Sequence, residues 1–185
     1  MESSGIIRRV DELGRIVIPK EIRKAYRLHE GSSLEINILK SGEIILTKYS
    51  KVSSLYEFAS LMCESIYKVL ECNVLICDTE KIVASNKKAL NNKLLNENVI
   101  KNFLNRKNYI LQKSVSMMMS IYQNDTNIYN SQAIIPIIAE GDVIGGIILY
   151  TLNDVEITTN DLKSCQIISN FLGEVWKKLQ VETFL

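Results

Sequence analysis

The first fifty residues alternate short apolar runs with charged and turn-forming residues. This pattern predicts four short strands, over 6–10, 15–18, 34–38 and 43–48. A turn at 11–14 separates the first two strands, and Lys40-Ser41-Gly42 closes a hairpin between the last two. Pro19 favours the start of a short helix that ends near Arg27. Four strands and one small helix form a thin core, so we expect this segment to be an obligate dimer.

After Val52 the apolar residues recur at intervals of three and four, which predicts a helix over 52–71. A second long helix is predicted over 159–182, where Thr158, Thr159 and Asn160 offer capping side chains. Between them the patterns predict strands over 73–77, 81–84, 131–138 and 143–152, and a helix over 98–104. We therefore expect two domains joined by a linker. They are an all-β domain with one short helix (1–50), a linker into the helix (51–55), and an α+β domain with long terminal helices (56–185).

The composition is that of a globular protein, with 46% hydrophobic and 23% charged residues among 185. These values exclude a disordered or fibrous chain. No apolar run approaches the roughly 18 residues of a membrane span, and the first residues lack the features of a secretion signal. We therefore expect a cytoplasmic protein without a membrane segment.

The net charge of +1 hides a basic pole at the N-terminus. Residues 1–27 hold seven cations and four anions, so they carry +3 and the remainder carries −2. On a helical wheel, one arc of about 100° holds the cations Lys20, Arg23, Lys24 and Arg27. The opposite arc holds Ile22, Ala25 and Tyr26, which we expect to dock on the sheet.

Three further arginines, Arg8, Arg9 and Arg15, flank the first turn. A dimer would duplicate all of these cations on one assembly, which favours binding to a phosphate backbone. The alternative to DNA binding is that these cations form a solvated helix face, whose positive charge is partly offset by Glu21 and Glu30. An aromatic stripe for stacking unpaired bases is absent from this segment, so duplex DNA is the favoured nucleic acid.

The remaining candidates for chemistry favour structural roles. The four cysteines, Cys63, Cys72, Cys77 and Cys165, form no CxxC pair, and His29 is distant from them in sequence. We expect them to be buried, with no metal, cofactor or catalytic residue in the chain. The three methionines at 117–119 have two interpretations, as the lining of a ligand pocket or as filling of an irregular core, and we favour the core. Gly145-Gly146 indicates close packing in a strand rather than a phosphate-binding loop. Trp176 is predicted to anchor an interface between helices.

Residues 5–24 read GIIRRVDELGRIVIPKEIRK, and the pattern continues through Glu30-Gly31, Leu34-Glu35-Ile36 and 42–49. This run closely resembles the AbrB-type swapped-hairpin DNA-binding domain. The resemblance implies an interleaved dimer of β-hairpins that binds duplex DNA. It also implies which basic residues contact the DNA: Arg8, Arg9, Arg15, Arg23 and Lys24, with Lys20 on the same helix face.

The second half carries a different resemblance. Residues 133–148 resemble the central hairpin of GAF domains, and residues 74–78 resemble the first strand of that fold. The combination of both modules resembles a family of transcriptional regulators from spore-forming bacteria. It implies activation and repression of late forespore genes, a nucleoid-associated protein, and a homotetramer paired through the long helices of the GAF-like domains. It also allows an unidentified small-molecule ligand.

Two alternatives from other classes stay open. A MazE-type antitoxin shares the swapped-hairpin fold but carries a flexible acidic tail, whereas residues 51–185 have the periodicity of a packed domain. A ligand-processing GAF-like enzyme would turn over a metabolite without DNA. Capture of a toxin partner would favour the first, and turnover would favour the second.

Overall fold

The computed structural model describes residues 5–26, 28, 30 and 34–183, without the side chains of 179–183. The chain divides into two compact units, with the boundary between Tyr49 and Ser50. Each unit is described below by itself. No helix in the described ranges combines the length and the apolar character that crossing a bilayer requires.

The first unit contains one short helix, α1 (Lys20–Ala25), and a hairpin of β1 (Leu34–Ile38) and β2 (Ile44–Lys48). The strands are antiparallel, from Leu34 opposite Lys48 to Ile38 opposite Ile44. Gly42 closes the turn with φ of +87°, a conformation that favours glycine. The predicted hairpin is confirmed. The sequence predicts it well because the alternating strands and the turn residues between them lie within one short segment.

The predicted strands over 6–10 and 15–18 are wrong for the single chain, where neither segment belongs to a sheet. The turn between them does form, with bonds from Asp11 N–H to the Arg15 carbonyl and from Gly14 N–H to the Asp11 carbonyl. A strand needs a partner along its whole length, and here the pairing stops at the turn. Apart from the half-buried Ile18, the apolar side chains on both arms are exposed, up to 94% for Ile7.

The first unit also lacks an interior of its own. Among its described residues only Pro19 is buried, and Ile36, Ile38 and Ile44 on the hairpin are exposed. Folding depends on removing such apolar surface from water. A single copy of this unit therefore leaves most of its hydrophobic stabilisation unrealised.

The second unit is a five-stranded antiparallel sheet with helices on both faces. Its helices are α2 (Tyr56–Leu70), α3 (Glu97–Leu104) and α4 (Thr159–Thr183), and short 3₁₀ turns cover Ser53–Leu55 and Lys88–Leu90. Its strands are β3 (Asn73–Asp78), β4 (Ile82–Ser85), β5 (Tyr109–Gln112), β6 (Ser131–Ala139) and β7 (Asp142–Thr151). The order across the sheet is β4-β3-β7-β6-β5. The α+β prediction is confirmed, and β5 is the strand that it missed.

Each face of the sheet carries its own core. On one face α2 and α4 bury residues such as Cys63, Leu172 and Trp176 against the strands. On the other, Val99 and Phe103 of α3 pack with Leu75, Tyr129, Ile148 and Tyr150. Both cores lie within a single chain, so this unit is able to fold without a second copy.

Two predictions about individual residues of the second unit, the cap of α4 and the packing of two glycines, are confirmed. Thr158 begins α4 as a cap, since its hydroxyl accepts from Asp161 N–H and the Asp161 carboxylate accepts from Thr158 N–H. A Cβ added at Gly145 would meet the Cys77 carbonyl, and one at Gly146 would meet the Phe103 ring. The predicted close packing at both glycines is confirmed.

Candidate nucleic-acid interface

The turn at 11–15 is organised by one carboxylate. Asp11 Oδ1 accepts from the backbone N–H of Leu13 at 3.0 Å and of Arg15 at 2.8 Å. Its Oδ2 accepts from Arg15 Nε at 2.7 Å. The bonds from the Arg15 backbone and side chain lower the pKa of Asp11 below its usual value. Asp11 thus orients the Arg15 side chain through its Nε, and the side chain stays 70% exposed.

Helix α1 presents a basic face. Pro19 is its N-cap, one position before the place that the sequence predicted, and it has no N–H to leave unpaired. Lys20, Arg23 and Lys24 recur at three and four residues, so they lie on one side of the helix, and all three are exposed. Arg27 and His29 lie outside the described residues.

All six predicted DNA-contacting residues are on the surface of the first unit. Three lie on the face of α1, and Arg8, Arg9 and Arg15 lie on the arms and end of the turn. Apart from Arg15, none of the six has a carboxylate oxygen within 4.0 Å in the described ranges. Their charge is therefore available to an external anion.

The opposite side of α1 differs from the prediction. Ile22 is half-buried, but Ala25 is exposed and Tyr26 is 68% exposed, so the expected docking of the last two on the sheet is wrong for a single chain. The hairpin of the same chain is too small to cover both.

Sequence patterns also did not identify the role of Asp11 in the turn. Its signal is an aspartate that opens a glycine-containing turn four residues before an arginine.

The cysteines of the second unit are poor candidates for chemistry. All four are buried, as predicted, and burial raises the pKa of both Cys63 and Cys165 to about 12. Burial also raises the pKa of Cys72 and Cys77. The thiolate is the reactive form, so these protonated side chains act as small apolar residues of the cores.

An open pocket of about 310 Å³ lies on the second unit, lined by Lys113, Ser116, Met118, Met119, Ser120, Asn127, Ile128 and Tyr129. Met118 and Met119 pack against the core on the α3 side, as predicted for core methionines. For Met117 that prediction is wrong, because its side chain is 91% exposed. Gln132 holds the segment in place, since its side chain bonds both the N–H and the carbonyl of Met119.

Comparison with known proteins gives a family model for each unit. The model described as "Stage V sporulation protein T C-terminal, transcription factor" matches residues 54–177. The model described as "Antidote-toxin recognition MazE, bacterial antitoxin" matches residues 7–54.

Relatives cover the two units in the same way. Stage V sporulation protein T of Bacillus subtilis (strain 168) is 37% identical over 163 residues, which are 84% of this chain and 90% of that protein. The transition state regulatory protein AbrB of the same organism is 51% identical over 49 residues, 26% of this chain and half of AbrB.

The fold of the second unit is that of GAF domains. A GAF domain of PixJ from Thermosynechococcus elongatus superposes with a TM-score of 0.59 at 8% identity, over 74% of this chain and 93% of that domain. The chain is thus a two-domain protein, with an AbrB-like N-terminal domain and a GAF-like α+β domain, and the predicted fold class is confirmed. It belongs to the stage V sporulation protein T family of transcription factors.

Proposed function

We propose that this transcription factor regulates sporulation genes by binding duplex DNA through paired N-terminal units. The observation that carries the proposal is the first unit itself. Its described cations are exposed, and five of the six predicted contact residues have no carboxylate nearby. Six cations per chain become twelve in a dimer, which suits a phosphate backbone.

The pairing of two copies follows from the same unit. Only Pro19 is buried among its described residues, while Ile7, Val17, Ile36 and Ile38 are exposed. We propose that a second copy supplies the missing strands and covers the exposed faces, including Tyr26 on α1. The arms at 6–10 and 15–18 then become strands of a shared sheet.

The GAF-like unit extends the assembly. Helices α2 and α4 carry exposed apolar side chains on the surface that faces away from the sheet, among them Leu61, Val69, Ile167 and Phe171. Two such helix pairs would pack as a bundle and bury these side chains. We propose that the chain forms dimers through the first unit and tetramers through these helices.

We also propose that the protein acts in the cytoplasm of the forespore, associates with the nucleoid, and both activates and represses genes. The pocket at Lys113 and Met119 is where we would place a small-molecule ligand. The antitoxin alternative has the MazE-type match in its favour, but residues 50–185 form a packed sheet with two cores.

Binding across a salt series tests the proposal. A dimer that neutralises about 6–10 phosphates should lose about 10³–10⁵ in affinity between 50 and 200 mM salt. Arg8→Ala and Arg15→Ala should each weaken duplex binding with an unchanged melting temperature, because both side chains are exposed. Lys40→Ala, an exposed cation at the hairpin turn, is the control and should bind as wild type.

A flat salt series, or full affinity in both arginine variants, would exclude this electrostatic mechanism. A drop of many degrees in the melting temperature of either variant would show that the side chain is part of the folded core instead.

A further inference from the structure

The GAF-like unit has a strongly basic segment of its own. Residues 81–113 contain eight lysines and arginines and a single acidic residue, Glu97, for a net charge of +7. The rest of residues 50–185 carries −8. The near-neutral total of this unit therefore conceals a separation of charge.

The segment begins and ends in the two edge strands of the sheet, β4 and β5, and the connection between them, residues 86–108, packs on one face. Val99 and Phe103 anchor α3 to the core on that face, and Leu90 of the preceding turn packs against the same core. Lys93 Nζ lies 4.3 Å from the centroid of the Tyr122 ring, and Lys87 Nζ lies 5.7 Å from that of Tyr150. Both rings belong to that core, so these cations lie at its edge. Helices α2 and α4 cover the other face.

The basic cluster comprises Lys81, Lys87, Lys88, Lys93, Lys101, Arg106, Lys107 and Lys113, and all but Lys81 are exposed. Within the described part of the chain, none of the eight has a carboxylate oxygen within 4.0 Å. Elsewhere in the unit, Lys51 and Lys177 do have such partners. A segment with a net charge of +7 whose cations are not ion-paired attracts a polyanion.

The neighbouring side chains fit phosphate as well. Residues 91–108 include seven asparagines, and asparagine, lysine and arginine are residue types that contact phosphate oxygens. Among the tyrosines next to the cluster, Tyr122 and Tyr150 are buried and Tyr109 is half-buried, so no exposed aromatic surface is available for stacking unpaired bases, which disfavours a single strand. A protein partner would need an apolar centre in the interface, and cations and asparagines dominate here.

We propose that the basic cluster is a second contact for the phosphate backbone of the duplex that the N-terminal units hold. The inference rests on the proposed function, because the first contact brings duplex DNA near the second unit. Both surfaces belong to one chain, so binding at the first raises the effective concentration of phosphate at the second. The cluster then adds affinity without reading sequence.

The test removes three of the exposed cations from the full-length chain by Lys88→Gln, Lys101→Gln and Lys107→Gln. A matched control changes the same three positions by Lys88→Arg, Lys101→Arg and Lys107→Arg, which keeps each positive charge. The two triple variants alter the same positions, so only the charge differs. Trp176 fluorescence during thermal unfolding checks that both retain the wild-type fold of the second unit.

Each lost phosphate contact lowers the slope of log affinity against log salt by about 0.9. We expect the cluster variant to have a slope shallower by about 2–3 per chain on a long duplex, and a shorter hydroxyl-radical footprint. On a duplex that covers only the N-terminal contact, the cluster variant and wild type should agree. The control variant should match wild type on both duplexes.

An unchanged slope in the cluster variant, or an equal loss in the control, would overturn the inference. Loss of binding to an acidic polypeptide or to single-stranded RNA, with duplex binding intact, would assign the cluster to another partner and also overturn it. Arg15→Ala on the same long duplex tests the proposed function separately. Wild-type protein that binds no duplex would refute both proposals.

Discussion

Gly146 offers a sharp test of the packing between β7 and α3. Its missing side chain leaves room for the ring of Phe103, and a Cβ at this position would overlap three atoms of that ring. Phe103 is fully buried, so the ring has no solvent-filled space to enter. Overpacking of this kind costs about 1–3 kcal/mol. We therefore expect Gly146→Ala to destabilise the second unit by that amount.

For a unit of this size, 1 kcal/mol shifts the melting temperature by about 4 °C, so the variant should melt about 4–12 °C lower. Trp176 is the only tryptophan in the chain, and it is buried in the second unit, so its fluorescence reports this transition. Gly5→Ala is a matched control, because a Cβ at Gly5 meets nothing within 4 Å. It should stay within about 0.5 kcal/mol of wild type.

The double variant Gly146→Ala with Phe103→Leu identifies the cause. Leucine is smaller than phenylalanine, so it makes room for the new methyl group. The free-energy cost of the double variant should then be about 0.5–3 kcal/mol smaller than the sum of the two single costs. Strict additivity, or a Gly146→Ala variant as stable as wild type, would refute the assigned contact.

Further outcomes follow from individual contacts and from the burial of the thiols. Asp11→Asn should weaken duplex binding despite removing a negative charge, because Arg15 loses its orientation. In the wild-type protein, the bonds between Asp11 and Arg15 are fully present above the usual pKa of Asp11. They should be lost as the pH falls through the lowered pKa of the folded protein, and NMR titration of the Asp11 carboxyl measures that loss. Ser131→Ala removes a buried hydroxyl that accepts from Ile157 N–H, and urea unfolding should show a loss of about 1–3 kcal/mol, with Ser114→Ala neutral. Ellman's reagent at pH 8 should leave the four buried thiols unmodified until the chain unfolds, and rapid modification of the folded chain would contradict their burial.

The sequence predicts elements well where one segment contains all the information. The β1–β2 and β6–β7 hairpins each combine apolar strands with their own turn, and the cap at Thr158 lies within four residues. The four-residue strand β5 escaped prediction, because it follows a stretch rich in asparagine and lysine and is too short to show alternation.

Prediction fails where the partner of a residue is distant or lies outside the chain. The segments 6–10 and 15–18 have the apolar character of strands, but no strand within one chain pairs with them. The bonds from Asp11 to Arg15 depend on the geometry of the turn, which composition does not report. The basic cluster at 81–113 is not apparent from the net charge of residues 28–185, because acidic residues elsewhere in that range cancel its +7.

The two units differ in what holds them together, and this difference connects assembly with DNA binding. The second unit has a core on each face of its sheet within one chain, whereas the first unit buries only Pro19 among its described residues. In the assembly proposed above, a second copy covers the exposed apolar side chains of the first unit, so the order of that unit would depend on association. Dilution should then lower DNA affinity before it changes the fluorescence of Trp176, because the surface that presents the arginines depends on association and the core around the tryptophan does not.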